Sequence, residues 1–351
     1  MLRKISLFIG IPLLVLVLFV FYTFWSTGFF KTITPENNFG PIYQTIDLPG
    51  VEDMAISRTD SFMVLSVDDR AKRRSGSSGL HGLYWVDLRQ EPFTPRPINL
   101  PSDLELYPHG LSLIQTGPNQ HQLAVINHVN GNHSIELFTI QNDTVRYSKS
   151  LQDPNLISPN DLVWIDGERF YYSNDHGSRS KWGIFSENYL GVAKANVGYF
   201  DGENFRIVAE GMAYPNGLVV DQTGKNLLVA SSRKFLIRVF EIQENGDLVL
   251  LEDVPTDTGV DNLELDEDGS IWSGAHPDLM TFSAYAAGKK PKAPSEIIQL
   301  YISDQKLKQK TVWKDPGEGM SASSVAIPFG DYLFLGNVMD SKMLILKRGS
   351  N

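Results

Sequence analysis

The chain has 351 residues, 42% hydrophobic and 11% aromatic, which is enough apolar material for a large core and excludes a disordered protein. A formal charge of −10 argues against a nucleic-acid partner, because phosphate binding needs clustered Lys and Arg, and it suits a protein that gathers cations. The absence of cysteine excludes disulfides, zinc thiolate sites and thiol nucleophiles together.

The first element is apolar. Ile5 to Trp25 is interrupted only by Ser6, Gly10, Pro12 and Thr23, and about 20 such residues suffice for a helix to cross a bilayer core. Arg3 and Lys4 precede the run and Lys31 follows it, so the positive-inside rule places the N-terminus in the cytoplasm and the rest of the chain outside. The aromatic residues Phe19, Phe21, Tyr22, Phe24 and Trp25 suit an interfacial anchor, whereas a cleaved secretory signal has a shorter apolar core and a small-residue cleavage site. The expectation is a single-pass membrane protein with an anchor and flank over residues 1–30, secreted if that segment is cleaved. One domain is expected over 31–351.

Beyond Thr45 the chain reads as short β-branched and aromatic runs separated by Gly, Asp and Asn turns, so it is predicted to be all-β. One hairpin unit recurs six times, starting at Glu52-Asp53, His109-Gly110, Asn160-Asp161, Asn216-Gly217, Asp261-Asn262 and Ser323-Ser324. Each polar pair leads into an apolar strand, a turn and a second strand, such as Phe62 to Ser66 or Leu227 to Ser231. The copies start roughly 45 to 60 residues apart, the period of a four-stranded blade, which predicts a six-bladed β-propeller. The segment between the anchor and the first hairpin is expected to supply a strand to the last blade. A β-sandwich gives no reason for a polar pair at the same place in every hairpin.

In a propeller the innermost strands line a central channel, so equivalent positions become a ring. That ring reads Glu52, His109, Asn160, Asn216, Asp261 and Ser323, with Asp53, Asp161 and Asn262 one step on. Oxygen donors with one histidine suit calcium, which takes six to eight oxygen ligands, whereas zinc or copper wants sulfur or several histidines. Glu52 and Asp261 supply two charges for one divalent ion, and Asp53 with Asp161 can neutralise a second. Taken singly, each Asn or Asp reads as a turn residue; the register across six repeats reverses that.

At these residues the chain resembles the paraoxonases, calcium-dependent lactonases and arylesterases that often keep an uncleaved hydrophobic N-terminus. The resemblance covers nearly the whole chain and rests on Glu52-Asp53, Pro108-His109-Gly110, Val125-Ile126-Asn127-His128, Pro159-Asn160-Asp161, Asn174-Asp175-His176, Asn216-Gly217, Val260-Asp261-Asn262 and His276-Pro277. It implies that Glu52, Asn160, Asn216, Asp261 and Asn262 hold a catalytic calcium, and that Asp53, Asp161 and the carbonyl of Leu111 hold a deeper structural one. It makes His109 and His128 a catalytic dyad, with Asp175, His176 and His276 in the pocket. The segment Arg70 to Gly82 falls where the family carries a mobile active-site loop, and otherwise reads as a solvated surface loop. The family's end-joining disulfide has no counterpart here, so ring closure must rest on strand pairing.

The expected chemistry is hydrolysis of a small ester or lactone, the metal polarising the carbonyl and His109 taking a proton from water with His128 relaying it. The sequence contains no Gly-x-Ser-x-Gly elbow, no His-Glu-x-x-His and no phosphate loop. A gluconolactonase-like or strictosidine-synthase-like propeller, or a non-catalytic propeller stiffened by calcium, are the competing readings.

Overall fold

Six antiparallel sheets account for the strands of the computed structural model, which describes residues 2–303 and 306–349, and side chains from residue 10 onward. Met1 and the side chains of Arg3 and Lys4, on which the orientation argument leans, lie outside the described residues. Five sheets have four strands and one has five. The inner strands are Val51–Ser57, Pro108–Gly117, Pro159–Trp164, Pro215–Val220, Gly259–Leu265 and Ser323–Phe329, each opening on or beside one of the six polar pairs. They contact one another in sequence and the last contacts the first, so the blades, numbered 1 to 6 in that order, close a ring.

Four of the second strands, Phe62–Asp68 and Ile271–His276 among them, are buried at every residue because both faces pack against neighbouring blades. Outer strands such as Thr144–Leu151 are largely exposed. Six apolar clusters result, one in each interface between neighbouring blades. Ring closure uses strand pairing, as expected: Ile42–Ile46 pairs with the C-terminal strand Met343–Lys347 in blade 6. A shorter stretch, Glu36–Asn37, pairs with Lys306–Asp315 at the edge of blade 5. The first residues after the N-terminal segment thus supply the outermost strands of the last two blades.

Among the described residues four α-helices interrupt the pattern. α1, Leu2–Trp25, precedes the propeller, and among the described residues no helix is long and apolar enough to cross a membrane. α2 is the short Arg70–Arg74, N-capped by Asp69, whose side chain accepts the Lys72 N–H; it replaces the first part of the expected loop. α3, Lys181–Leu190, and α4, Leu279–Ala286, are inserted after the second strands of blades 3 and 5. The sequence reading had no place for α3 or α4, since each is short and its apolar residues merge into the surrounding β pattern. Both cover the same end of the channel.

Candidate functional site

The polar pairs alternate around the ring, and the alternation is structural. Blades 1, 3 and 5 carry Asp53, Asp161 and Asn262 at the second position, while blades 2 and 4 carry Gly110 and Gly217. A Cβ at Gly110 would stand 2.5 Å from the Asn160 carbonyl oxygen, and one at Gly217 would stand 2.5 Å from that of Asp261. Only glycine lets these strands approach so closely. Across the junctions, Asp53 Oδ2 accepts the Leu111 N–H at 2.7 Å and Asp161 Oδ2 accepts the Leu218 N–H at 2.8 Å. Their other oxygens accept the N–H groups of Met54 and Leu162. These two aspartates therefore staple blade 1 to 2 and blade 3 to 4. Leu111 meets Asp53 here through its N–H.

Burial pushes both acids well above the usual carboxylate range, with Asp161 and Glu52 adding to the effect at Asp53 and with backbone N–H donors opposing it. Glu264 is raised as well, by burial and then by Asp53. It lies two residues from Asn262 on one strand and so shares its face, a signal the sequence offered.

One layer toward the helices, a cavity of about 440 Å³ opens among Glu52, His109, Asn160, Asn216, Asp261 and His276. Arg70 and Tyr214 also line it, and α4 contributes Leu279 and Phe282 as an apolar wall. Four of the five candidate ligands are tied on one side, Asn216 being the exception. Glu52 Oε1 faces His109 Nε2 at 3.4 Å and accepts from Asn262 Nδ2 at 3.3 Å. Asn262 Nδ2 also donates to the Glu52 carbonyl at 3.0 Å, Asn160 Nδ2 donates to Asp175 Oδ2 at 3.3 Å, and His276 Nε2 meets Asp261 Oδ2 at 2.8 Å.

The opposite oxygens are free. Glu52 Oε2, Asn160 Oδ1, Asn216 Oδ1, Asp261 Oδ1 and Asn262 Oδ1 are all buried without a hydrogen-bond partner. Native proteins leave few such atoms. Among the described residues there are fifteen, so a third of them fall on these five side chains. Ser323, the sixth ring position, turns away and donates to the Glu296 carbonyl at 3.0 Å.

The charges are arranged unevenly. Burial opposes ionisation of Glu52, but His109, Arg70 and Asn262 hold its carboxyl down at about 2. Asp261 is raised, by burial first and by Glu52, against the pull of His276 and His109. Asp175 and His176 stand behind the cavity. Asp175 accepts from His176 Nδ1 at 2.6 Å and Ser158 Oγ at 2.5 Å, which overcome its burial and hold it at about 2. Among the described residues no group of three or more His, Cys, Asp or Glu side chains is arranged to hold a metal; this ring has two carboxylates and three amides.

The two predicted histidines do meet: His109 Nδ1 and His128 Nε2 are 3.0 Å apart. The chain continues to a residue the sequence reading missed, with His128 Nδ1 and His133 Nδ1 at 2.7 Å. The signal was present. Asn130 and Gly131, both with positive φ, form a two-residue hairpin turn, and that register places His133 directly across from His128.

The arylesterase family model matches residues 35–345. The chain belongs to the arylesterase family. Human serum paraoxonase/arylesterase 1 is 31% identical over 235 residues, an alignment spanning 66% of each chain, just under two thirds of that relative. Rat serum paraoxonase/arylesterase 2 is 30% identical over 266 residues, 73% of this chain and 74% of that one. Relatives of both arylesterase and lactonase description place this arylesterase among the ester and lactone hydrolases.

Two solved structures show the same fold. The calcium-binding protein regucalcin from Agrobacterium tumefaciens superposes with a TM-score of 0.52 at 11% identity, over 89% of this chain and 96% of that one. The Pseudomonas aeruginosa periplasmic gluconolactonase superposes with a TM-score of 0.50 at 13% identity, over 86% of each.

Proposed function

We propose that this chain is a calcium-dependent hydrolase of carboxylic esters and lactones whose catalytic ion is held by Glu52, Asn160, Asn216, Asp261 and Asn262. The observation that carries the reading is the set of five buried oxygens that lack partners, four of them on side chains of Glu52, Asn160, Asp261 and Asn262 that are anchored at a neighbouring atom. Anchoring fixes where the free lone pairs point, as outer-shell hydrogen bonds do for metal ligands. A buried donor set of oxygens alone, with two carboxylates, fits calcium. When bound, the ion supplies a Lewis acid for the scissile carbonyl and for the charge that develops on its oxygen.

The chain's own residues supply the rest. His109 presents Nε2 to the cavity and takes a proton from the attacking water. His128, through its bond to His109 Nδ1, fixes the tautomer and accepts the displaced proton. Arg70 Nη2 makes no hydrogen bond and only a long ion pair, 3.9 Å, with Glu52 Oε2, which leaves a donor at the mouth for an anionic group such as a product carboxylate. Leu279 and Phe282 offer the apolar wall for an acyl or aryl group.

A second ion between Asp53, Asp161 and the Leu111 carbonyl belongs to the same reading. Those carboxylates already accept backbone N–H groups, so an ion there uses their remaining lone pairs and competes with protons.

The test is an assay of the full chain in detergent on an aryl ester and a series of lactones, with calcium, with a chelator, and with calcium restored. Reversible loss of hydrolysis with the fold intact supports the reading. Hydrolysis indifferent to calcium moves the assignment to another propeller chemistry. Calcium binding without hydrolysis makes it a binding propeller.

The reading extends to location, with residues 1–30 as an uncleaved membrane anchor and 31–351 as the extracytoplasmic catalytic domain. The support is that α1 exposes its apolar side chains from Ile11 to Phe21, at 43 to 59%. Its end also docks at the cavity mouth: the Leu279 N–H donates to the Thr27 carbonyl at 2.9 Å and Arg233 to Ser26 Oγ at 3.3 Å. Full-length protein should stay with membranes through an alkaline wash. Recovery in the soluble fraction with a processed N-terminus would show a cleaved signal instead.

A further inference from the structure

The histidine pair at the cavity does not end inside the protein. His128 is buried between two partners, His109 Nδ1 at 3.0 Å from its Nε2 and His133 Nδ1 at 2.7 Å from its Nδ1. The rings stand nearly perpendicular, at 84° and 87° with centroids 5.0 and 4.8 Å apart. His109 lines the central cavity. His133 lines a different one, an open cleft of about 750 Å³ that also contains Asp103, Glu105, Asp153 and Arg179. Three imidazoles in line therefore connect the central cavity to a second, open cleft.

We propose that His133 is the outer terminus of a proton relay that serves the hydrolysis, handing protons between His128 and the water of the second cleft. The inference rests on the reading of His109 as the base. Only two tautomer sequences satisfy both bonds with neutral rings. In one, His109 Nδ1–H donates to His128 Nε2 and His128 Nδ1–H donates to His133 Nδ1, leaving a proton on His133 Nε2 and an unprotonated His109 Nε2, 3.4 Å from Glu52 Oε1, to accept. The other reverses every donor.

The chemistry uses both. When His109 Nε2 takes a proton from water, its Nδ1 proton moves to His128, that of His128 moves to His133, and one leaves His133 Nε2. That converts the first sequence into the second. When the leaving alkoxide takes a proton from His109 Nε2, the shifts run inward, His133 regains a proton from the cleft, and the first sequence is restored. One proton leaves and one enters per turnover, only N–H and O–H bonds change, and no other reagent is needed.

The middle ring suits a conduit better than a store. Burial pushes His128 well below the ordinary imidazole range, and His109, His133 and Arg70 add to this against Asp175. Burial also lowers His133, with Arg179 and His109 adding and Asp175 opposing. A ring whose charged form is disfavoured suits passing a proton on as it receives one. A group that merely shaped the hairpin would have no need to face both His128 and open water.

The test is His133→Phe, with His133→Gln as the variant that keeps a hydrogen bond to His128 but cannot relay. Both are assayed as full-length, calcium-loaded protein beside wild type, over a series of imidazole buffer concentrations. The expected result is a fall in kcat of about tenfold with KM unchanged in both variants. Imidazole, entering the open cleft, should restore kcat in the variants and leave wild type unaffected. Unchanged kcat, or a loss that buffer does not restore in the Gln variant, overturns the relay alone. A wild-type protein without calcium-dependent hydrolysis overturns the reading of the site, and the relay with it.

Discussion

The channel holds two layers of buried oxygen donors, and the protein treats them in opposite ways. In the deeper layer both oxygens of Asp53 and of Asp161 accept backbone N–H groups, and the acceptors bind one blade to the next. In the layer at the cavity, Glu52, Asn160, Asn216, Asp261 and Asn262 each keep a buried oxygen without a partner. A hydrogen bond to a buried group is modest in net worth, but leaving such a group unmade costs about 1–3 kcal/mol. The deeper layer avoids that cost and the upper layer accepts it five times over. Residues that close the fold and residues reserved for a ligand can thus be told apart by where their lone pairs go, although both are acids and amides on the same strands.

The sharpest way to break this contrast is Asp53→Leu. It strands the N–H groups of Met54 and Leu111 at the junction of blades 1 and 2, so at about 1–3 kcal/mol each the calcium-free protein should lose about 2–6 kcal/mol in denaturant unfolding. Asp53→Asn keeps one acceptor and should lose about half of that. If Asp53→Leu unfolds like wild type without calcium and differs only with it, the deeper aspartates are ligands first and staples second.

A smaller effect reports on how the upper layer is braced. Asp175 holds Asn160 and is itself held by His176, at a pKa of about 2 against an ordinary 3.8, while His176 is raised by Asp175 against its burial. The depressed carboxyl contributes stability above pH 3.8 that is lost as pH falls toward 2. The raised imidazole contributes stability below pH 6.5 that is lost as pH rises through its folded value. The pair is therefore worth most between those limits, about 2 kcal/mol. The stability difference between wild type and Asp175→Asn should peak near the middle of that window and shrink on either side. A difference that is flat with pH would mean that Asp175 acts only by packing.

Much of this was legible in the residues. The six polar pairs gave the blade count, the inner strands and five of the six positions around the cavity, Ser323 turning away, because a repeat forces equivalent residues onto one axis whatever lies between them. Four things were not. The free and occupied oxygens look alike in sequence, since Asp53 and Glu52 are neighbours and only the approach of the next blade's N–H separates them. α3 and α4 were hidden because short helices inserted between strands carry too few turns to show a period. His133 was missed for a different reason: the reading weighed each histidine against the repeat, while the Asn130-Gly131 turn that pairs it with His128 is a local signal. Arg70 sits in a segment that its composition reads as a solvated loop and the resemblance as an active-site loop, and its place at the mouth is set by the Asp69 cap and by its contacts with Asp68 and the Val338 carbonyl.

The subtlest test of the two layers is Asn216→Leu. Replacing a side chain of similar size whose oxygen has no partner removes an unmet polar group, so calcium-free stability should hold within about 1 kcal/mol of wild type or rise. Calcium should then bind at least about tenfold more weakly, which is about 1.4 kcal/mol, in calorimetric titration. The titration also counts ions. Two sites in wild type with only one weakened would separate the layers by affinity, and a single site abolished would leave Asp53 and Asp161 to the backbone alone. Should Asn216→Leu instead destabilise the calcium-free protein as much as Asp53→Leu, its oxygen would have a protein partner after all. The upper layer would then be a second set of staples, and the case for an ion at the mouth would lose the observation on which it stands.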